Sequence, residues 1–290
     1  MGITFGDNQY GKVECRLVRV DRDVDGTPGR NSIKDITVTT TLAGDFDATH
    51  LHGDNSGLLP TDSHKNAAYA FAKDGIGELE DFGLRLARYF VDSIDTVKRA
   101  RIQLHEYHWD RVNDHAFVRS GRETRTATIT YNGTTAWAVS GIRDLALFQS
   151  AGSQFHGFLQ DEYTLLGETR DRTYATLVQA SWRHNHIPDS HDWTAAYQQA
   201  RDSLIDTFCT IRSHSTQQVL YTMGHTLLTT CPTLAEVRLH MPNLHHLHID
   251  LSPFGMDNHE EVLYPSDRPY GLMEGSIQRD NAPDPGLAWW

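Results

Sequence analysis

The order of periodicities along the chain repeats, and that repeat is what most limits the fold. From Lys12, Val13, Cys15 and Leu17 alternate with Lys12, Glu14 and Arg16, the period of two that marks a half-buried strand. A Gly-, Asp- and Pro-rich loop, DRDVDGTPGRNS, leads into IKDITVTTTLAGDF, whose Thr and Val content predicts the second strand of a hairpin. Thr61 and Asp62 are capping types ahead of SHKNAAYAFAKDG, a helix stopped at Gly75. A second helix over Leu79 to Ile94 puts Leu79, Phe82, Leu86 and Tyr89 on one stripe, and strands follow at Ala100 to Trp109 and Arg125 to Tyr131.

The second half runs through the same order. Strands fall at Ala136 to Phe148 and Thr173 to Trp182. Trp193, Tyr197, Ala200, Leu204, Phe208 and Ile211 then recur at helical spacing, the clearest periodic signal in the chain. A further helix over Gln217 to Leu228 presents Leu220, Met223 and Leu227. Two closing strands, VRLHM and HHLHIDL, are predicted to meet at a turn on Pro242 and Asn243. The expectation is an α+β chain of two tandem units, residues 1–134 and 135–290, with helices covering one face of antiparallel sheets. Open sheets have edges to protect, so an oligomer is expected.

Composition excludes several classes. A formal net charge of −12 is unsuited to gripping nucleic acid or anionic lipid, which requires clustered Lys and Arg. An anionic substrate would then need its own local cation. The three cysteines, Cys15, Cys209 and Cys231, form no CxxC pair, as expected of reduced thiols in the cytoplasm. The start, MGITFGDNQYGKVE, lacks a basic segment followed by an apolar run, and LAWW is no peroxisomal address. No membrane role is expected.

Several blocks together resemble urate oxidase: YGK at 10–12, LPTDSHKN at 59–66, SQFHGFLQDEYTLLGETRDR at 153–172, STQQVLYTM at 215–223 and PNLHHLHIDL at 242–251, with DRPYG at 267–271 similar to bacterial members. The resemblance implies a tunnelling fold whose barrel closes on oligomerisation, a homotetramer, and active sites at subunit interfaces. There Lys12 and Thr61 of one subunit meet second-half residues of its neighbour. It also implies oxidation of urate by O2 and water to 5-hydroxyisourate and hydrogen peroxide, in purine degradation, with no cofactor and with O2 as co-substrate.

Urate is a flat anion whose N–H and carbonyl groups alternate, so it calls for an aromatic face and planar bidentate partners. By resemblance Phe155 supplies the ring, and Arg172 and Gln217 grip the purine edge. Thr216 stands where the family usually has Val and acts through its backbone N–H. Lys12 and Thr61 form a proton-relay dyad extended by His245, burial being what makes a lysine amine able to act as base. Asn243 helps hold oxygen and later water, and Asp62 positions the site through its backbone and caps the helix. His156 and Arg170 stand where related chains often carry aromatic residues.

Taken singly these residues have plainer readings: Phe155 as core, Arg172 and Lys12 as solvated charges, Thr61 and Asp62 as helix caps, Gln217 as solvent-facing, Asn243 as a turn residue, and His245, with Leu247, Ile249 and Leu251, as a core histidine. Two other functions use the same segments. A zinc hydrolase like the GTP cyclohydrolases would recruit His246, His248 and Cys231, but adjacent strand residues face opposite ways and the remaining ligands are missing from the pattern. A non-catalytic purine- or pterin-binding module would keep Phe155, Arg172 and Gln217 without needing Lys12 and Thr61.

Overall fold

The structure is a computed structural model that describes residues 2–188 and 191–290. Two compact units emerge: residues 1–141 with 182–197 and 282–290, and residues 142–181 with 198–281.

The first unit opens with β1 (Tyr10–Asp21) and β2 (Ser32–Gly44), then α1 (Asp47–His52), α2 (Thr61–Asp74), α3 (Leu79–Ser93) and β3 (Val97–Tyr107). The small ribbon of β4 (Trp109–Arg111) and β5 (Phe117–Arg119) precedes β6 (Thr124–Tyr131) and the start of β7 (Ala136–Phe155). Strands β1, β2, β3, β6 and β7 are neighbours in that order, and the β1–β2, β2–β3 and β3–β6 ladders are antiparallel. Residues Ile36, Val38 and Leu42 of β2 and Ile102 and Leu104 of β3 form one apolar core with Phe82, Leu86 and Phe90 of α3. The predicted α3 stripe is off by one residue at its end: Phe90 is buried, whereas Tyr89 is partly exposed. Spacing from Leu86 admits either one, and the ring without a hydroxyl to solvate takes the inner position.

A buried polar network crosses this core. The Arg125 guanidinium lies 2.8 Å from Glu80, Ser140 donates to the other oxygen of Glu80 at 2.6 Å, and the Ser140 hydroxyl is 2.9 Å from His184 Nε2. It ties α3 to β6 and β7. At the carboxyl end, Trp290 stacks under Arg99 and Arg101, at 4.3 and 5.1 Å from the ring centroid, and Arg101 also donates to the Trp290 carbonyl. The terminal tryptophan is thus held by its own chain.

The second unit comprises most of β7 and of β8 (Thr169–His184), most of α4 (Trp193–Thr210), then α5 (Thr216–Thr230), β9 (Leu234–His248) and β10 (Leu263–Gln278). Its strand order is β7, β8, β9, β10. Leu204 and Phe208 of α4 and Leu220, Met223 and Leu227 of α5 are buried as predicted. Gly224 is a packing requirement, because a Cβ there would come within 2.4 Å of Ile277 on β10 and 3.1 Å of Leu239 on β9.

Two expectations fail here. Pro242 and Asn243 form no turn; β9 runs straight through them, opposite Leu272 and Gly271. The segments read as two closing strands are one, and the last strand is β10, which sequence periodicity did not reveal. Most of β10 is solvent-exposed on both faces in this chain, so no alternation betrays it. No described helix is long and apolar enough to cross a membrane.

Candidate functional site

The first group of site residues lies in the first unit. Gly11 comes so close to β2 that a Cβ would sit 1.9 Å from the Thr40 carbonyl oxygen, so the YGK sequence needs glycine in its middle. Lys12 pairs with Thr40, but the next paired residues are Cys15 and Val38. One extra residue is therefore inserted into β1, a bulge, with Glu14 at φ 55°. This corrects the predicted alternation. Without the bulge Lys12 would face away from Cys15. With it, both stand opposite β2 residues two apart, and so share the inner face, while Val13 is turned out, 70% exposed.

Threonines of β2 replace the ladder bonds lost at the bulge. The Lys12 N–H donates to Thr40 Oγ1 at 3.4 Å and the Glu14 N–H to Thr39 Oγ1 at 2.9 Å. Thr40 Oγ1 is in turn 2.9 Å from Nδ1 of the buried His64, and the Tyr10 hydroxyl donates to the Leu59 carbonyl at 3.0 Å. The YGK and LPTDSHKN segments are thereby pinned to each other. The field of Lys12 reaches across them: burial raises the Cys15 thiol, and Lys12 and Lys65 oppose that rise.

Thr61 and Asp62 occupy the first turn of α2, but neither caps it. The N-cap is Pro60, with no side-chain cap bond. The Pro60 ring fixes φ near −58°, and its carbonyl accepts the Ser63 N–H at 2.9 Å, so the chain enters the helix without a side-chain acceptor. The Asp62 carboxylate instead takes the side chains of Lys65 at 2.5 Å and Asn66 at 2.8 Å. Those bonds, that of Lys65 foremost, hold its carboxyl below the ordinary range. Half-buried Thr61 is left free to serve something other than its own helix.

The second group lies in the second unit. Phe155 ends β7 and is half-buried. The guanidinium carbon of Arg172, near the start of β8, stands 5.3 Å from its ring centroid. Phe158 stacks on Phe155 at 4.8 Å and 13°, so this ring accepts a flat partner face to face. Arg172 Nε is buried with no hydrogen-bond partner among the described residues. Burial also lowers the Arg172 pKa, yet an arginine stays charged at any working pH.

The loop before α5 is sewn to the end of β7. The Gln154 N–H donates to the Ser213 carbonyl at 2.8 Å, and Ser153 bridges Ser213, both residues buried. Ser215 then caps α5 by accepting the Gln218 N–H at 3.1 Å, while Gln218 Oε1 accepts the His214 N–H at 2.8 Å. Thr216 and Gln217 thus open a helix whose entry is fastened to the strand that ends in Phe155. Gln217 is exposed, as its plainer reading expected, and accepts from the Thr216 hydroxyl at 3.2 Å.

Asn243 and His245 share one face of β9, opposite Gly271 and Ser266, where β10 loops its residues 267–270 out of the ladder. That face is not core at its far end: Leu247 is exposed and the strand stops at His248. His245 is therefore not packed as a core histidine. His246 and His248 are otherwise engaged, within hydrogen-bond reach of the Leu244 carbonyl at 3.0 Å and the Asn258 carbonyl at 2.6 Å. Cys231 lies beyond the other end of β9, at the α5 C-cap. No group of three or more His, Cys, Asp or Glu placed to hold a metal occurs among the described residues.

Gly11, Thr39, Thr40, His64 and Phe158 are site-building residues that the sequence reading passed over. Only the glycine between Tyr10 and Lys12 offered a signal, since glycine inside a strand marks a bulge or a close backbone approach.

Two successive antiparallel units with their helices and paired strands define a tandem tunnelling-fold protein. A family model described as Uricase matches residues 8–130 and 138–274. A uricase from Arthrobacter globiformis is 44% identical over 97% of this chain and 91% of its own length. One from Dictyostelium discoideum is 33% identical over 96% and 99%. The crystal structure of the Arthrobacter globiformis uricase superimposes with a TM-score of 0.93 at 43% identity, covering 98% of this chain and 97% of that one. The chain belongs to the uricase family, and it is a urate oxidase.

Proposed function

We propose that the chain oxidises urate with O2 and no cofactor, in sites that a homotetramer assembles from the first unit of one subunit and the second unit of its neighbour. The observation that carries the reading is the pairing of an aromatic face with an unsatisfied, half-buried guanidinium, Phe155 with Arg172, in a chain of net charge −12. Arg172 supplies the local cation and Phe155 the stacking surface. Gln217, the Thr216 N–H and Asn243 complete the contacts to the purine edge and to oxygen.

The substrate is the reductant. A deprotonated purine donates its own two electrons to O2, so the protein is left to bind, orient and move protons. Lys12, brought to the inner face by the bulge, takes a proton through the Thr61 hydroxyl, and His245 extends the relay. Urate, O2 and water become 5-hydroxyisourate and hydrogen peroxide, and atoms balance without another reactant.

Edge chemistry supports the shared site. Among the described residues, β1 and β10 are the edges of the sheet, flanked by β2 and by β9 alone. Both edges expose apolar side chains, Val18 and Val20 on one, Tyr264 and Leu272 on the other, an arrangement that invites pairing with another chain. The free thiols Cys15, Cys209 and Cys231 suit a reducing, cytoplasmic setting.

The direct test follows the loss of urate's ultraviolet absorbance together with O2 consumption and peroxide release, before and after exhaustive chelation. Equal consumption of urate and O2, unaffected by the chelator, supports the reading. Activity lost on chelation and restored by a divalent metal overturns the cofactor-free chemistry.

A further inference from the structure

We propose that His64 is a positioning residue for the dyad of Lys12 and Thr61, locking the first turn of α2 to the β1 bulge through the Thr40 hydroxyl; this rests on the reading of that dyad given above. His64 is fully buried, its ring 5.3 Å from those of both Tyr10 and Phe90, with the Leu59 carbonyl and the Lys12 charge also bearing on it. A leucine would fill such a place without burying a polar ring, so the histidine must gain by a directed bond.

That bond is the 2.9 Å contact of Nδ1 with Thr40 Oγ1. Thr40 Oγ1 already accepts the Lys12 N–H, and a hydroxyl has one proton to give. Thr40 Oγ1 therefore joins the Lys12 N–H and the His64 ring at one atom, whichever tautomer the ring holds. Three residues before His64 on the same helical face stands Thr61. A single side chain therefore couples the turn that carries the relay hydroxyl to the strand segment that carries the amine. Burial keeps the imidazole neutral, with its pKa lowered to about 4, so the ring stays uncharged throughout the neutral range.

The test compares His64→Leu, His64→Asn, Thr40→Val and the His64→Leu/Thr40→Val double variant as full-length oligomers, measuring kcat and KM for urate, binding of a purine analogue that is not oxidised, and melting. Asparagine places an amide oxygen near the position of Nδ1. We expect His64→Leu to lower kcat about tenfold or more with analogue binding within about twofold, His64→Asn to recover most of the loss, and the double variant to be no worse than the worse single. Unchanged kcat in folded His64→Leu, failure of His64→Asn to recover it, or additive losses in the double variant would overturn the proposal. If His64→Leu does not fold, Thr40→Val alone decides, by lowered or unchanged kcat. Lys12→Met distinguishes the two levels: turnover surviving that change sinks the dyad itself, whatever His64 does.

Discussion

The guanidinium carbon of Arg172 lies 5.3 Å from the centroid of the Phe155 ring, and the two come from strands whose meeting ends are held by a bond from the Gly152 N–H to Asp171 at 2.6 Å. A flat anion entering here meets charge and ring together. Arg172→Ala should raise KM for urate by about ten- to 150-fold for each charge-assisted bond lost, at roughly 1.5 to 3 kcal/mol apiece. Arg172→Lys should recover little, because an ammonium cannot offer a planar fork. Steady-state kinetics decide, and a lysine variant with unaltered KM would deny Arg172 its bidentate role.

Gly11→Ala should damage both fold and turnover. Its Cβ would stand 1.9 Å from the Thr40 carbonyl oxygen, a backbone atom that cannot step aside. We expect a loss of about 1 to 3 kcal/mol in stability and a fall in kcat as β1 shifts Lys12. Chemical denaturation and kinetics on the same preparation check both, and an alanine variant with native values would show the strand free to move.

Much of the fold was legible because helices α4 and α5 carry apolar stripes whose residues from Trp193 to Phe208 and from Leu220 to Leu227 are buried where periodicity placed them; Ile211, the last residue of the predicted α4 stripe, falls beyond the helix and is half-buried. The bulge in β1 was not. One inserted residue reverses every later side chain without altering composition, so Lys12 was read as facing out when its backbone partner, Thr40, faces in. Strand β10 escaped for a different reason: its faces are open in this chain, and alternation reports burial rather than backbone conformation. Nothing local distinguishes His64, because its partner Thr40 is 24 residues away in sequence.

Glu80→Ala should cost more stability than any exposed charge reversal. It takes the nearest carboxylate from Arg125, 3% exposed, leaving the longer contacts to Glu78 at 3.4 Å and Glu106 at 3.9 Å, a loss of up to about 3 kcal/mol. Replacing Glu80 and Arg125 together with apolar residues should recover a large part of it. Thermal melts of the single and double variants measure this, and equal losses in both would refute the paired-charge explanation.

Acid should destabilise the protein well above the carboxylate range. Burial lowers His64 to about 4 and His184 to about 3, from an ordinary 6.5. Below pH 6.5 the unfolded chain binds protons at both positions and the folded chain does not, so stability is fully present above that value and declines towards pH 4. Each histidine contributes a slope of up to about 1.4 kcal/mol per pH unit. His184→Asn should flatten the decline measured by denaturant titration at successive pH values, and an unchanged slope would mean that His184 protonates in the folded state.

The shared site is the central claim, and mixing two impaired variants tests it most directly. Lys12→Met and Arg172→Ala each disable a different unit, the first lowering kcat by about a hundredfold or more. Assembled together in one oligomer, they should recover activity, with about a quarter of the sites in a random mixture holding both intact halves. Assayed at urate well below the KM of Arg172→Ala, the co-assembled sample is predicted to turn over far faster than either separately prepared variant. A mixture no more active than its components would contradict the claim and return every catalytic residue to a single chain.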